Sequence, residues 1–361
     1  MGNSRSKQPN PRPTQGASIS LSNTQSSHPS FGLTGAAGLS ALGFQYIAKS
    51  TSLEESKSGT TDQGAATSPL DQPISLLHTK SKTIVTTKNW RTFIHDGTHY
   101  EEVARCAMEF CQETMKKDFD LVPYDNNFVD PLNLCSGTLL SRDIEKYEKV
   151  LVILPGKGKV RAGIFGRQLL MVHSLQTGSA IPFLQRASSK NFGIILLDPN
   201  VKIDKSTFVS TKLGYENVQQ QWSAVVVNTF PKDKFPNLFI LAHSQAGAQI
   251  VRCLNNERPE VVSQIKVLCQ TDGTSSLHQV TSDSARELLT SPYRSLYCRS
   301  TPGSVCLHQA GQMHIPTASE KAYWLSRFGA IKVVWAGTRD HPYSNFTARD
   351  VIFDFMLSAQ N

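Results

Sequence analysis

Hydrophobic positions beyond about residue 89 follow two alternating patterns. Short continuous apolar runs, each ended by polar or small residues, are typical of strands buried on both faces, and they lie at 150–154, 192–200, 237–243, 265–273 and 331–341. Segments between them, such as ENVQQQWSAVVVNTF, carry apolar residues at helical spacing, as does 89–118. The alternation predicts an α/β fold with a doubly wound, mainly parallel sheet and helices on both faces.

Residues 1–85 show neither pattern over any length. They are dominated by Ser, Thr, Gln, Gly, Pro and Ala and contain few large apolar residues. Burial of so little apolar surface does not offset the entropy lost on ordering. The sequence therefore predicts a disordered tail at 1–85 and one α/β domain at 86–361.

Charge narrows the function only slightly. The chain has a formal net charge of +8 and a pI near 9.1, which favours contact with polyanions. Its basic residues are scattered, and no zinc-finger spacing or RNP-type aromatic motif accompanies them. The charge permits direct nucleic-acid binding, but no motif favours it over a solvated basic surface.

Cysteine, histidine and glycine patterns give no cofactor or metal. The seven cysteines are an odd number without a C-x-x-C pair, which is typical of a reducing compartment. His308 and His314 lack acidic or cysteine ligands at metal spacing, so no metal site is predicted. The loop GKGKVRAG completes neither a dinucleotide nor a P-loop fingerprint, and we predict no cofactor.

The first residues, MGNSRSK, match the N-myristoylation pattern, with Gly2 as the acceptor and Ser6 at its second required position. Arg5 and Lys7 would add attraction to anionic lipid. A single acyl chain holds a membrane only weakly and reversibly. The alternative is a chance match in a disordered terminus, so the motif predicts at most a membrane-associated pool.

The stretch LFILAHSQAGAQIV (238–251) is an apolar run that breaks into a turn at Ser244 and resumes with helical spacing. A strand, a serine between small residues and a helix form the nucleophile elbow of α/β-hydrolases. The flanking residues here are Ala242 and Ala246, with Gly247 behind them. The pattern predicts that Ser244 stands at the tip of an elbow, although a buried strand that ends in an ordinary serine turn has the same local sequence.

A nucleophilic serine needs a histidine base and a carboxylate to orient it, and these usually follow the serine as acid, then histidine. Asp272 and His341 come after later predicted strands in that order. Asp340 and Asp198 are alternative acids, and His341 could instead be a core histidine and Asp272 a loop cap. His243, next to the serine, is expected to serve packing or hydrogen bonding.

An oxyanion hole would draw on two backbone segments. The first is the residue after the nucleophile, Gln245, and the second is the glycine-rich loop of Gly156, Lys157 and Gly158. The sequence thus supplies the parts of a serine hydrolase in the required order.

Several longer segments occur together in one order: LVILPGKGKVRAGIFGRQLL, TGSAIPFLQRA, GIILLDPN, FILAHSQAGAQIV, VLCQTDGTSSLH and AGTRDH. Together they resemble the Argonaute-binding-protein-two domain, which is found in cotranscriptional regulator proteins and appended to some fungal histone deacetylases. The resemblance extends from about Trp90 to Phe355. The tail lies outside it.

The resemblance implies an α/β-hydrolase-like fold used in small-RNA-directed silencing, heterochromatin formation and RNA-processing control. The partners it implies are Argonaute-type or chromatin-silencing proteins, in the nucleus and cytoplasm. It places the family's motif positions on Ser244, Asp272 and His341. Relatives have a histidine-glycine pair where this chain has Pro155-Gly156, and serine-x-glycine-glycine where it has Ser244 to Gly247.

Two hypotheses follow from these observations. As a binding module, the domain would present a surface to a silencing partner, and the triad would be inherited. As an enzyme, it would be a serine hydrolase for an ester, thioester or amide. Both departures from the family pattern lie at the predicted oxyanion hole, which favours the binding module. The segment 273–328 would be either a lid or a partner-binding insertion.

Overall fold

The computed structural model describes residues 34–48, 72–124, 135, 137–201, 211–230, 235–303, 305–329 and 331–359. The predicted acylation site, Gly2, lies outside these ranges. It stays a prediction that the mass of the N-terminal peptide would decide.

The strands, numbered along the chain, are β1 (Phe44–Ala48), β2 (Ile74–His78), β3 (Thr83–Ile84), β4 (Leu121–Pro123), β5 (Leu139–Ser141), β6 (Lys149–Leu154), β7 (Gly193–Leu196), β8 (Asn237–His243), β9 (Ile265–Thr271), β10 (Ser295–Arg299) and β11 (Lys332–Trp335). The helices are α1 (Gly35–Ala41), α2 (Trp90–Phe93), α3 (Gly97–Asp118), α4 (Arg167–Val172), α5 (Leu175–Gly178), α6 (Ile181–Ser189), α7 (Thr211–Gln221), α8 (Gln245–Asn255), α9 (Pro259–Ser263), α10 (Asp283–Thr290), α11 (Ala318–Phe328), α12 (Ser344–Thr347) and α13 (Arg349–Ser358). Among the described residues, no helix is both long enough and apolar enough to cross a bilayer.

The main sheet has eight strands in the order β11-β10-β9-β8-β6-β7-β5-β4. Every pairing from β11 to β7 is parallel, and only the β7-β5 and β5-β4 pairings at the far edge are antiparallel. A parallel sheet needs crossover connections, and the helical segments between the apolar runs supply them. The predicted fold class, an α/β fold with a mainly parallel sheet, is confirmed.

Strand β6 shows how both faces of the sheet are covered. Its side chains alternate, so Leu151 and Ile153 enter one core cluster together with residues of α3, α6 and α13. Val150, Val152 and Leu154 enter a second cluster with residues of α7, α8 and α10. Burial on both faces explains why the strand reads as a continuous apolar run.

The predicted boundary of the tail at residue 85 is wrong for the described residues 34–48 and 72–85. These form α1 and a three-stranded antiparallel sheet of β1, β2 and β3. Leu39, Phe44 and Leu76 are buried in the same cluster as α3, and Tyr46 donates a hydrogen bond to the Leu170 carbonyl at 3.0 Å. Each segment is too short to show a period, and its apolar residues are covered by helices far along the chain.

The predicted insertion at 273–328 is also corrected in part. Its segment Ser295–Arg299 is strand β10, which pairs in parallel with β9 on one side and β11 on the other. It therefore belongs to the central sheet and cannot move as a lid. The residues after it run along the outer strand, where His314 N–H donates to the Val333 carbonyl and Trp335 N–H to the Gln312 carbonyl. This pairing protects the edge of the sheet.

The packing of the N-terminal elements yields a stability prediction. Phe44 is 1% exposed, and its ring lies 5.4 Å from that of His78 and 6.0 Å from that of His99. We expect Phe44→Ala to lower the free energy of unfolding by about 3–5 kcal/mol, because it opens a cavity in the core. Chemical denaturation would measure it, with the exposed neighbour Gln45→Ala as the control. Equal unfolding midpoints for the two variants would show that β1 does not belong to the folded core.

Candidate active site

Ser244 stands at the sharp turn between β8 and α8. Its backbone adopts φ 55° and ψ −125°, a region that residues with a side chain rarely occupy and that costs about 1–3 kcal/mol. The turn is fixed by its amide, which donates to the Thr271 carbonyl at 2.9 Å, and by its carbonyl, which accepts from Gly247 and Thr274 N–H at 3.1 Å each. The backbone of β9 therefore holds the serine in its strained conformation.

Small residues are required around this turn. A methyl group in place of the Gly247 hydrogen would lie 2.5 Å from the Gln270 side-chain oxygen, and one on Gly156 would lie 2.9 Å from the Ser244 Cβ. Ala246 is fully buried against the sheet. The glycine-rich loop after β6 thus packs directly on the serine, which explains the small residues that the sequence shows at both places.

Asp272 and His341 form a hydrogen-bonded pair, with His341 Nδ1 2.9 Å from Asp272 Oδ2. Asp272 follows β9, and its other oxygen accepts the Ser300 N–H at 2.7 Å. Burial acts to raise the pKa of Asp272, but the hydrogen bonds from His341 and Ser300 outweigh it and hold that pKa below its ordinary value. An ionised carboxylate only accepts hydrogen bonds, so Nδ1 carries a proton, and in the neutral tautomer of the ring Nε2 can accept a hydrogen bond.

Ser244 and His341 line one cavity of about 370 Å³, together with Gly156. Within the part of the chain that the structure describes, the Ser244 hydroxyl has no hydrogen bond to His341. Arg167 also lines the cavity, and its guanidinium donates to Glu101 at 2.8 Å. The structure thus brings Asp272 and His341 into hydrogen-bond contact. Ser244 lines the same cavity as His341 but is not hydrogen-bonded to it.

Neither alternative acid occupies the place of Asp272. Asp340 is exposed, and its amide donates to the Thr338 hydroxyl. Asp198 is buried below the glycine-rich loop, where it lies 3.5 Å from the Arg161 guanidinium and accepts the Asn200 N–H. Burial raises the pKa of Asp198, against the opposing charge of Arg161.

His243 lies beside the site as a buried neutral imidazole. Its Nδ1 is 3.0 Å from the Thr271 hydroxyl, which donates to Asn345 Oδ1 at 2.7 Å. Its ring centroid is 4.6 Å from that of His341. Burial, together with the nearby His341, lowers the pKa of His243 to about 3. His243 therefore supports the His341 ring without adding a positive charge at neutral pH.

The predicted oxyanion hole differs at one residue. Gly158 N–H already donates to the Asn200 side-chain oxygen at 3.0 Å, and the Asn200 amide donates to the Gly156 carbonyl at 2.9 Å. Gly158 is therefore a clamped loop residue and not a free donor. Lys157 lines the cavity, with an exposed side chain. Gln245 is the first residue of α8, a position whose N–H has no acceptor within the helix.

Sequence reasoning missed the polar residues that position the site. Asn200 clamps the glycine-rich loop, Ser300 holds Asp272, and Thr271 and Asn345 hold His243. The DPN ending of the run at 192–200 was a visible signal for Asn200, since polar residues that follow a buried strand lie at the site edge of a parallel sheet. The others gave no such signal, because Thr271 and Asn345 lie inside a strand and a helix, and Ser300 follows β10, a strand that the apolar runs did not predict.

In comparisons with known proteins, residues 136–302 match the family described as the Arb2 domain. The chain is 25% identical over 227 residues to a FAM172 family protein homolog of Caenorhabditis elegans, an alignment that spans 61% of this chain and 64% of that protein. It is 23% identical to the human cotranscriptional regulator ARB2A and 22% identical to its Xenopus tropicalis homolog. These alignments cover 75% and 76% of this chain and 74% of each relative.

Solved structures with a similar course of the chain include a histone deacetylase from Saccharomyces cerevisiae, at a TM-score of 0.46 and 12% identity, covering 73% of this chain and 99% of that one. Another is the protein Est1E from Butyrivibrio proteoclasticus, at a TM-score of 0.35 and 12% identity, covering 62% and 93%.

The contact between the loop and the elbow can be tested by adding one methyl group. We expect Gly156→Ala to destabilise the protein by about 1–3 kcal/mol, because the new methyl overlaps the Ser244 side chain and the loop must shift. Gly303→Ala is the matched control, since its methyl meets nothing within 4 Å, and it should change stability by less than about 0.5 kcal/mol. Urea unfolding would measure both. Equal stabilities would mean that the loop does not pack on Ser244.

Proposed function

The chain is a member of the Arb2 domain family, and on that premise we propose that it is a protein-interaction module in cotranscriptional gene regulation. Its relatives that carry a functional name are called cotranscriptional regulators. The partners we propose are Argonaute-type or chromatin-silencing proteins, and the processes are small-RNA-linked silencing, heterochromatin formation and control of RNA processing. The proposed site of action is the nucleus, with a cytoplasmic pool.

One surface carries the proposal. Among the described residues, exposed large apolar side chains concentrate in the segment 305–325, and the most exposed of them, Ile315, is 82% accessible. The members of this apolar surface are Val305, Leu307, Met313, Ile315, Tyr323 and Leu325. Scattered exposed apolar residues are ordinary, but several within one short segment favour a surface that another protein covers.

The apolar surface is separate from the Ser244 cavity. Three of its members, Val305, Met313 and Ile315, line a groove that shares no lining residue with that cavity. Its loop is held to the rest of the domain by Arg339, whose guanidinium donates to the carbonyls of Gly303 and Val305. Binding of a partner there would therefore not require the serine hydroxyl.

Binding to a purified Argonaute protein tests the proposal. We expect the double variant Leu307→Asp, Ile315→Asp to weaken binding by about 10-fold or more, because it buries charge where apolar side chains are to be covered. Tyr293→Ser is the control, since Tyr293 is equally exposed but lies outside the segment, and Ser244→Ala should also leave affinity unchanged. A double variant that binds as tightly as the unmodified chain would contradict the proposal.

A second candidate function, serine hydrolysis, is favoured by the Asp272–His341 hydrogen bond and by the strained elbow at Ser244. In such a reaction the Ser244 oxygen would attack the carbonyl carbon of an ester, thioester or amide while His341 Nε2 takes its proton. The histidine would then protonate the leaving group, and water would release the acyl group by the same route. Gln245 N–H would donate to the oxyanion.

Labelling with a fluorophosphonate probe separates the two candidates. We expect slow labelling or none, because the serine is not hydrogen-bonded to His341 and the loss of one oxyanion donor typically removes about 3–4 kcal/mol of transition-state stabilisation. Mass spectrometry of the adduct would identify the labelled residue. Rapid labelling that Ser244→Ala abolishes, and that the exposed-site control Ser263→Ala leaves intact, would instead make the protein a serine hydrolase.

A further inference from the structure

We propose that the groove between β10 and the segment 305–320 binds a protein segment in which a carboxylate side chain is flanked by apolar side chains, with Arg299 as the carboxylate receptor. We call it the arginine groove; its volume is about 590 Å³, and its lining includes Arg299, Val305, His308, Met313, Ile315 and Trp335. The inference rests on the proposed function in one respect, since it takes this face of the domain to be where a partner docks.

Arg299 is held in place by two indole rings. It is the last residue of β10, and its guanidinium carbon lies 4.6 Å from the ring centroid of Trp324 and 4.7 Å from that of Trp335. Such stacking fixes the plane of the guanidinium while leaving its N–H edge available. A pre-oriented guanidinium loses less freedom on binding than an arginine on an open surface.

The donors of Arg299 are largely unused within the described residues. It donates one hydrogen bond, to His314 Nε2 at 3.4 Å, whereas a guanidinium has five N–H donors. The carboxylate that lines the groove, Glu320, is already engaged by Thr317, whose N–H and hydroxyl donate to it at 2.9 and 2.7 Å. Arg299 is thus a half-buried cation that forms no direct ion pair with a carboxylate of the described residues, although the charges of Glu320 and Asp272 lie near it.

Neighbouring arginines behave differently. Arg327 donates to the carbonyls of Ser275 and Gly273, and Arg339 donates to those of two loop residues. Both therefore hold the protein's own backbone. Arg299 makes no such bond among the described residues, although burial lowers its pKa from the ordinary value and so opposes its charge. A cation that is half-buried at that cost and makes no direct internal ion pair fits an external carboxylate.

The groove wall favours a peptide over a nucleic acid. Apolar side chains of Val305, Met313 and Ile315 line the same groove as the cation, and no lysine lines it among the described residues. A stacked base would need an open indole face. Trp335 is instead stacked on His308, with ring centroids 4.6 Å apart, and Trp324 on Phe328 at 4.8 Å, while Arg299 contacts both indoles.

The partner segment would be recognised through its side chains and not as an added strand. The open side of β11 is already paired with residues 311–314, as the bridge between Met313 and Val334 shows. Strand addition at this edge is therefore blocked. A carboxylate that reaches Arg299, with apolar neighbours on the aliphatic rim, would satisfy the groove.

Synthetic peptides with the full-length chain provide the test. The probes are short fluorescein-labelled peptides with a central Asp, Asn or Lys flanked by Leu and Phe, and fluorescence anisotropy gives their affinities. We expect the Asp peptides to bind about 10-fold or more tightly than the Asn peptides, because a charge-assisted hydrogen bond is lost in the latter. The Lys peptides should bind least.

Variants then assign the effect to Arg299. Arg299→Met should remove the preference for Asp, and Arg299→Lys should reduce it, because lysine lacks the planar fork. The matched control is Arg91→Met. Arg91 also stacks on an indole, with its guanidinium 5.2 Å from the Trp90 ring, but it does not line the arginine groove. Should Arg299→Met fail to fold, the reduced preference of the Arg299→Lys variant for Asp over Asn peptides decides the assignment.

Three results with the peptides would overturn the inference: no peptide of the panel binds, Asp and Asn peptides bind equally, or Arg299→Met keeps the preference. Tighter, Arg299-dependent binding of a single-stranded RNA oligonucleotide would also overturn it and make the groove a nucleic-acid site. These failures are distinct from failure of the proposed function. The proposed function is decided by whether the double variant of Leu307 and Ile315 still binds an Argonaute protein.

Discussion

The parallel pairing of neighbouring strands is the constraint on which the rest of the structure depends. Because β8, β9 and β10 run in the same direction, their carboxyl ends meet at one edge. The hydrogen-bond ladder continues one step past the strands, since Ser244 N–H donates to the Thr271 carbonyl and Asp272 N–H to the Cys298 carbonyl. Both residues then leave their strands with positive φ, 55° and 45°. The sheet therefore aims the serine and the aspartate before any side chain contributes.

The elements that could be predicted from sequence are those whose pattern is local. A continuous apolar run such as 237–243 is buried on both faces, so its composition alone marks it as a strand. The serine between small residues is likewise local, because the tight turn excludes larger neighbours. Phe44 and Leu76 could not be placed in the same way. Their burial depends on α3 and α4, which lie far along the chain, and no short window records that contact.

The site shows the same division between local and distant information. The order of Ser244, Asp272 and His341 is visible in the sequence, but the partners that hold them are not. Asn200 reaches across from the end of β7 to clamp the loop at Gly156 and Gly158. The Gly158 N–H, which the sequence predicts as an oxyanion donor, is therefore already bonded to the Asn200 side chain. Register within the sheet and hydrogen bonds between loops decide such matters, and both are properties of the assembled fold.

Two of the three triad residues, Asp272 and His341, also have structural roles. Asp272 accepts the Ser300 N–H, and the carbonyl of His341 accepts from the Ser344 hydroxyl at the start of α12, so both residues stabilise the loops that carry them. Arg299 immediately precedes Ser300, which means that one short stretch of backbone serves both the arginine groove and the aspartate.

The Ser244 side chain is different. Its backbone is held firmly, yet in the described part of the chain its hydroxyl has no hydrogen-bond partner, and the strained turn would suit a glycine better. Within the described residues the Ser244 hydroxyl therefore adds no hydrogen bond to the fold, and its removal would change chemistry and not folding. The side chain of Ser244, and not the presence of a triad, is therefore what separates an inherited hydrolase framework from a working one.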